Sequence, residues 1–311
     1  MGRTPKQGRP YIKDIYDLGR PHPTTPYSKL IINAAITGMV PMKDDSPHVP
    51  ITVPEIIEDA TRCCQAGASI IHVHARGEDG LPTYKKEVYA EIIRGIRANC
   101  PDAIICTTTS GRKHNTFEKR SEVLELEGNS KPDMGSLTLG SLNFTKQASI
   151  NTPKMIQDLA AKMIAHDIVP EIEIFDIGMV NTAKIFIKNE ILVEPFYFNL
   201  LLGSVFSVPA TLFDLAYMVN SLPSAGQWAA AGIGRFQLKM NFASILMGGH
   251  VRVGIEDNIF YNQNNKELAT NEQLIQRIVK FSHTIGREVA SASEARGLIG
   301  LPQRSEKKVS S

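Results

Sequence analysis

Two histidines, His72 and His74, stand two residues apart in the run Ile71-His-Val-His-Ala-Arg76. The apolar neighbours mark the run as a β-strand, on which successive side chains point to opposite faces, so both imidazoles project from one face. Such a pair suits a single metal ion, since imidazole is the commonest protein ligand and a catalytic zinc takes three protein ligands and leaves one position open. Two core histidines satisfied by hydrogen bonds would show the same spacing, so a further ligand has to come from elsewhere in the chain. The stretch His250-Val-Arg-Val-Gly-Ile-Glu-Asp257 offers Glu256, with Arg252 four residues earlier on the same face and Asp257 beside it. Two histidines and a carboxylate form a known catalytic zinc set that also accepts iron and other divalent metals. Arg252, if buried, requires an anion: a neighbouring acid, or a substrate carboxylate held bidentately. Asp257 is a candidate general base, although an isolated Asp there is more often a cap or turn residue.

Two further stretches carry polar groups at strand ends. Cys106-Thr-Thr-Thr-Ser-Gly111 offers the hydroxyls of Thr108 and Ser110 and free backbone N–H groups through Gly111 ahead of a helix, a turn that can bind a carboxylate or phosphate. Glu171 and Glu173 alternate with Ile172 and Ile174, so both carboxylates face one way. A buried charge needs a partner, which makes Glu173 either a pocket residue or half of a structural ion pair. Gly232-Ile-Gly234-Arg235 lacks the full G-x-G-x-x-G pattern and is not read as a dinucleotide site.

These residues need a scaffold, and from Lys29 onward short β-branched runs alternate with segments of helical periodicity. Eight strands are expected: Leu30 to Ile36, Ser69 to Ala75, Ala103 to Thr109, Met134 to Gly140, Val169 to Asp176, Pro195 to Leu202, Gln227 to Ile233 and His250 to Ile255. Helices are expected over Pro54 to Ala66, Lys86 to Asn99 and Pro153 to His166, and a capping box at Thr270-Asn-Glu-Gln273 opens another that runs to about Ile285. A last helix is expected over Ser291 to Leu298. This rhythm predicts an α/β protein, a (β/α)8 TIM barrel, with a doubly wound open sheet as the alternative. Residues 1–28 read as an extended proline-bearing arm and residues 29–311 as the barrel domain with C-terminal helices. In a barrel the site lies at the C-terminal strand ends, where His72 and Glu256 are separated by strand one alone.

The 311 residues are 42% hydrophobic and 21% charged, an ordinary globular composition. With 34 basic against 32 acidic residues and no long run of either sign, nucleic acid is not suggested. Four cysteines without a C-x-x-C pair fit a reduced, cytoplasmic protein, and neither a secretory signal nor a transmembrane stretch is read.

The chain resembles the β-keto acid cleavage enzymes in six blocks: Asn33-Ala-Ala-Ile-Thr-Gly38, Ile71-His-Val-His74, Leu142-Asn-Phe144, Glu171-Ile-Glu173, Ala231-Gly-Ile-Gly-Arg235 and Gly249-His-Val-Arg-Val-Gly-Ile-Glu-Asp-Asn258. The resemblance implies a zinc enzyme that converts a β-keto acid and acetyl-CoA into acetoacetate and a shorter acyl-CoA, and a homo-oligomer. It also implies that His72, His74 and Glu256 hold Zn2+, that Asp257 is the base and that Arg252 orients base and substrate. The family's strand-three serine falls on Thr108, and its strand-four hydroxyl on Ser136 or Thr138. Where the aminohexanoate enzymes carry a glutamate for the substrate's amino group, this chain has Val40, so an uncharged or apolar substrate tail is expected. The alternatives are a metal-dependent barrel hydrolase and a non-catalytic metal or acyl-CoA binding protein.

Overall fold

A computed structural model of the chain describes residues 27–304. Eight parallel strands close into one barrel: β1 Ile32–Ala35, β2 Ile70–Val73, β3 Ile104–Thr107, β4 Met134–Thr138, β5 Val169–Ile174, β6 Tyr197–Leu202, β7 Gln227–Gly232 and β8 His250–Val253. β1 pairs with both β8 and β2, with Asn33 opposite Arg252 and Ala35 opposite His72. The closed ring excludes the open sheet. The ladders are shorter than the apolar runs because the flanks bond elsewhere; Leu30, for example, bridges Val289 near the C-terminus.

Strand alternation divides the core into two clusters. Inward residues Ile31, Ile70, Ile104, Met134, Tyr197 and Ala229 fill the lower barrel and meet Ala295, Ile299 and Leu301. Outward residues such as Ile32, Ile71, Ile105, Leu137 and Phe198 pack in the cluster that runs under the surrounding helices. Burial on both faces is what makes parallel strands read as continuous apolar runs. Above the apolar floor the inward positions turn polar, with Asn33, His72, Glu171, Asn199 and Arg252 all buried.

The helices are α1 Val53–Gln65, α2 Lys86–Asn99, α3 Phe117–Ser121, α4 Pro153–Ala165, α5 Ile177–Lys188, α6 Leu212–Ser221, α7 Gln237–Leu246, α8 Asn271–Thr284 and α9 Ala292–Ile299. The expected helices match to within a residue, and the Thr270/Gln273 capping box forms, with Thr270 accepting from Gln273 N at 3.2 Å. Two short antiparallel ribbons not expected from the sequence stand above the barrel mouth, Leu142–Asn143 with Ala148–Ser149 and Phe260–Asn262 with Glu267–Leu268. The arm expected over residues 1–28 lies outside the described residues up to residue 26; Tyr27 donates its hydroxyl to Leu246 O at 3.1 Å. Among the described residues no helix is long and apolar enough to cross a membrane.

Candidate active site

The C-terminal strand ends surround a cavity of about 940 Å3 whose wall includes His74, Thr108, Glu173, Arg252, Glu256 and Asp257. A second depression of about 550 Å3, lined by Gln276, Val279 and His283 of α8, gathers no comparable chemistry.

At the floor of the cavity two imidazoles face each other. His72 Nε2 lies 3.3 Å from His74 Nε2, and Glu256 brings Oε1 to 3.3 Å from His74 Nε2 and Oε2 to 3.8 Å from His72 Nε2. The other nitrogen of His72, Nδ1, meets Glu171 Oε2 at 2.8 Å. Glu171 is fully buried and also accepts from Asn33 Nδ2 at 2.5 Å, Asn199 Nδ2 at 3.1 Å and Cys106 Sγ at 3.2 Å. Burial pushes this carboxylate up, but the charges of His72 and Arg252 and the hydrogen bonds bring it down to about 2. An anionic Glu171 fixes a proton on His72 Nδ1 and turns Nε2 toward His74.

The residues fit a metal ion. Two ring nitrogens 3.3 Å apart repel unless a cation or proton lies with them, and the Glu256 Oε2 atom is buried without any hydrogen-bond partner. Burial lowers His74 to about 4, leaving it a neutral donor ligand. His72 is raised despite burial and Arg252, because Glu171 and Glu256 face it; a metal would replace that proton. Glu256 is held well below the usual carboxylate range, Arg252 and the two imidazoles outweighing burial. His72, Cys106 and Glu171 also lie within ligand range of one another, but burial keeps the Cys106 thiol protonated and Glu171 is already taken by its donors. His72, His74 and Glu256 are therefore the better set, and His74 and Glu256 open onto the cavity.

Arg252 organises the acids behind the set. Its Nη2 reaches Glu256 Oε1 at 2.7 Å, its Nε reaches Asp257 Oδ2 at 2.9 Å, and its Nη1 lies 3.6 Å from Glu173 and 3.9 Å from Glu171. Neighbouring acids thus take Nε and Nη2 of the arginine, while its buried Nη1 has no hydrogen-bond partner. Burial raises Asp257 against the pull of Arg252. It raises Glu173 likewise, although Glu173 accepts from Thr138 Oγ1 at 2.6 Å. Backbone packing sets the height of Glu256: Glu256 N donates to Ala35 O at 3.1 Å, and Ile255 N donates to Asn271 Oδ1 at 2.8 Å. Two glycines permit this approach. A Cβ on Gly254 would stand 2.1 Å from Ala35 O, and one on Gly38, whose φ is +68°, would stand 2.6 Å from Glu256 Cγ.

Of the remaining expected residues, Val40, Thr108, Ser110 and Thr138 line the cavity. Ser136 and Gly111 are placed behind its wall. Ser136 Oγ accepts from Thr109 N at 3.1 Å and so ties β3 to β4. Gly111 packs on Arg120, whose guanidinium bonds Thr109 O at 2.7 Å and Asn151 Oδ1 at 2.8 Å. Sequence reasoning missed Asn33 and Asn199 as donors to Glu171, although a lone Asn inside an apolar strand is itself a signal. It also missed Arg76, which holds the loop bearing Val40 through Gly38 O at 2.8 Å and Pro41 O at 3.0 Å, and Arg112 on the cavity wall.

The family model for beta-keto acid cleavage enzyme matches residues 29–301. The chain belongs to this enzyme family. It is 39% identical over 274 residues to the 3-keto-5-aminohexanoate cleavage enzyme of Fusobacterium nucleatum subsp. nucleatum, covering 88% of this chain and 98% of the relative. It is 37% identical over 277 residues to the 3-oxoadipate:acetyl-CoA acetyltransferase of Cupriavidus necator, covering 88% and 95%. Among solved structures the apo form of ObcA superposes with a TM-score of 0.75 at 18% identity over 82% of this chain and 66% of that one, a likeness of fold. Membership in an enzyme family whose relatives carry acetyltransferase names sets aside the non-catalytic reading.

Proposed function

We propose that this chain is a zinc-dependent β-keto acid cleavage enzyme that condenses a β-keto acid lacking an amino group with acetyl-CoA, yielding acetoacetate and a new acyl-CoA. The observation that carries the reading is the convergence of His72, His74 and a Glu256 with an unpartnered oxygen, at a cavity that His74, Glu256 and Asp257 line. A divalent cation held by His72, His74 and Glu256 would supply Lewis acidity to the ketone and carboxylate oxygens of the substrate. Asp257 removes a proton from C2, between the two carbonyl carbons, and its burial makes it a stronger base than a solvated Asp. Arg252 holds the Asp257 carboxylate in place through Nε. The C2 carbanion attacks the acetyl carbonyl of acetyl-CoA, and the CoA thiolate leaves. The thiolate then adds to C3, and the C2–C3 bond breaks to give the new acyl-CoA and the acetoacetate carbanion, to which Asp257 returns the proton. Thr108 and Ser110 offer hydroxyls to the substrate oxygens, while the Thr138 hydroxyl is given to Glu173.

The relatives' named substrates, 3-keto-5-aminohexanoate and 3-oxoadipate, share a β-keto acid head and differ in the tail, which supports a common head chemistry here. Val40, 60% exposed on the cavity side, brings no carboxylate to meet an ammonium. The protein acts as a homo-oligomer in the cytoplasm on this reading. The experiment is acetoacetate formation from a panel of β-keto acids and acetyl-CoA with zinc-loaded, chelator-treated, His72→Ala and Asp257→Ala protein. Zinc-dependent product is expected, with His72→Ala losing metal and turnover and Asp257→Ala keeping metal and losing turnover by at least a hundredfold. An active Asp257→Ala protein would overturn the role given to that residue, and no product from any substrate would overturn the reaction.

A further inference from the structure

We propose that Arg112 is a specificity-determining residue that selects β-keto acids whose tail ends in a carboxylate. The inference deepens the reaction proposed above and rests on it for the placement of the substrate's head. Arg112 follows β3 and lines the cavity, partly buried. Its guanidinium lies over the Phe144 ring, with Cζ 4.3 Å from the centroid, and Phe144 is braced edge-on by Phe175 at 5.9 Å. A cation held over an aromatic ring is placed by the ring rather than by a hydrogen-bond acceptor, so the group is positioned without an acceptor for its donors.

Among the described residues no acceptor meets those donors, and no carboxylate lies within 4.0 Å of Arg112. The other buried arginines of this end of the barrel differ. Arg76 and Arg120 are engaged by backbone carbonyls, and Arg252 by carboxylates. Burial lowers the pKa of Arg112, and Glu256, Glu173 and Asp257 oppose that from the same cavity. Each of these acids already has a partner: Arg252 for Glu256 and Asp257, Thr138 for Glu173.

In the proposed reaction the head of the substrate, its C1 carboxylate and C3 ketone, is taken at the His72, His74 and Glu256 end. The tail remains for Arg112. An ammonium would be repelled there, and an alkyl tail would cover five N–H donors without supplying an acceptor. A carboxylate fits the fork bidentately, while Val40 and Phe144 flank its methylenes. The expectation of an uncharged or apolar tail, drawn from Val40 alone, gives way to an anionic one.

The test compares adipate with hexanoate, equal in length and differing only in the terminal carboxylate, by calorimetry on zinc-loaded wild type, Arg112→Leu and Arg112→Lys. KM is measured in parallel for 3-oxo acids with carboxylate, methyl and ammonium tails. Wild type is expected to bind adipate at least tenfold more tightly than hexanoate; Arg112→Leu erases that difference and raises KM for the carboxylate-tailed acid at least tenfold, and Arg112→Lys restores part of it. Equal binding of the two acids by wild type overturns the proposal. So does a loss in Arg112→Leu that is the same for both acids, which would place the C1 carboxylate on Arg112, or one confined to the KM of acetyl-CoA, which would place a CoA phosphate there. Because binding is read without turnover, an adipate preference in a protein that forms no acetoacetate would uphold Arg112 and overturn the cleavage reaction.

Discussion

Replacing Arg252 by Met tests how the site is held together. Four carboxylates, those of Glu171, Glu173, Glu256 and Asp257, lie within 4.0 Å of its guanidinium, two of them at 2.7 and 2.9 Å. Breaking one buried ion pair from one side costs about 3–5 kcal/mol, because a charge is left without compensation. The two close pairs share a single cation, and a stranded acid can take up a proton, so the costs do not add; about 4 kcal/mol at pH 8 is expected. The pH dependence gives the sharper check. Without Arg252, burial carries the folded pKa of Glu256 and Asp257 above their unfolded values of about 4. A carboxylate raised in this way costs stability above its folded pKa and ceases to do so as pH falls toward the unfolded value. In the wild type Glu256 is depressed instead, so its contribution is present above pH of about 4 and is lost in acid. From pH 8 to 5 the first effect shrinks the gap between wild type and variant, and the second adds to it only below a pH of about 4. Urea denaturation followed by circular dichroism in the presence of a chelator measures it. Arg252→Lys, which keeps the charge and loses the fork, should lose about 1–2 kcal/mol. A loss below about 1 kcal/mol for Arg252→Met at pH 8, or a gap that does not narrow at pH 5, would refute the reasoning.

Glu171→Gln removes the anion that orients His72 and should weaken zinc binding about 10- to 100-fold in competition with a chelating dye, whereas unchanged affinity would mean that His72 Nδ1 needs no carboxylate. Gly254→Ala places a methyl 2.1 Å from Ala35 O and should destabilise the protein by about 1–3 kcal/mol in thermal unfolding while loosening zinc through Glu256 two residues on; a variant as stable and as tight as wild type would show that the β8 end is free to move.

The barrel was legible because its signals are redundant. Each strand is buried on both faces and reads as an apolar run, and helix starts carry caps such as Thr52 and Thr270. The pairing of β1 with both β2 and β8 then follows from closure, which is why residues as distant as His74 and Glu256 were expected together. Depth along the barrel axis was harder to read. Ser136 and Thr138 share the inward face of β4, yet Thr138 lines the cavity while the Ser136 hydroxyl is turned to Thr109 N. Past Thr109 the strand period ends, so alternation assigned no facing to Gly111 or Arg112. The ribbon that carries Phe144 pairs only two residues on each side, too few to leave a period in the sequence.

The charge arrangement explains why so many ionisable groups tolerate one small volume. Four acids meet one guanidinium, and a low-dielectric interior does not hold such a surplus of negative charge uncompensated. The groups respond in the direction that reduces it: His72 is raised by the acids around it, and burial raises Glu173 and Asp257. A divalent cation between the imidazoles and Glu256 would do the same work as these protons and expel the one on His72, so its affinity should rise with pH. Asp257 would then be left ionised against Arg252 and free to take a proton from carbon. Arg112 belongs to the same balance but is not consumed by it, since among the described residues no carboxylate lies within 4.0 Å of it. With a cation bound, the cavity would offer an incoming anion two positive poles of different kinds, one at the floor and the Arg112 guanidinium on the wall. On the proposed reading, a substrate with a carboxylate at each end is the one that uses both.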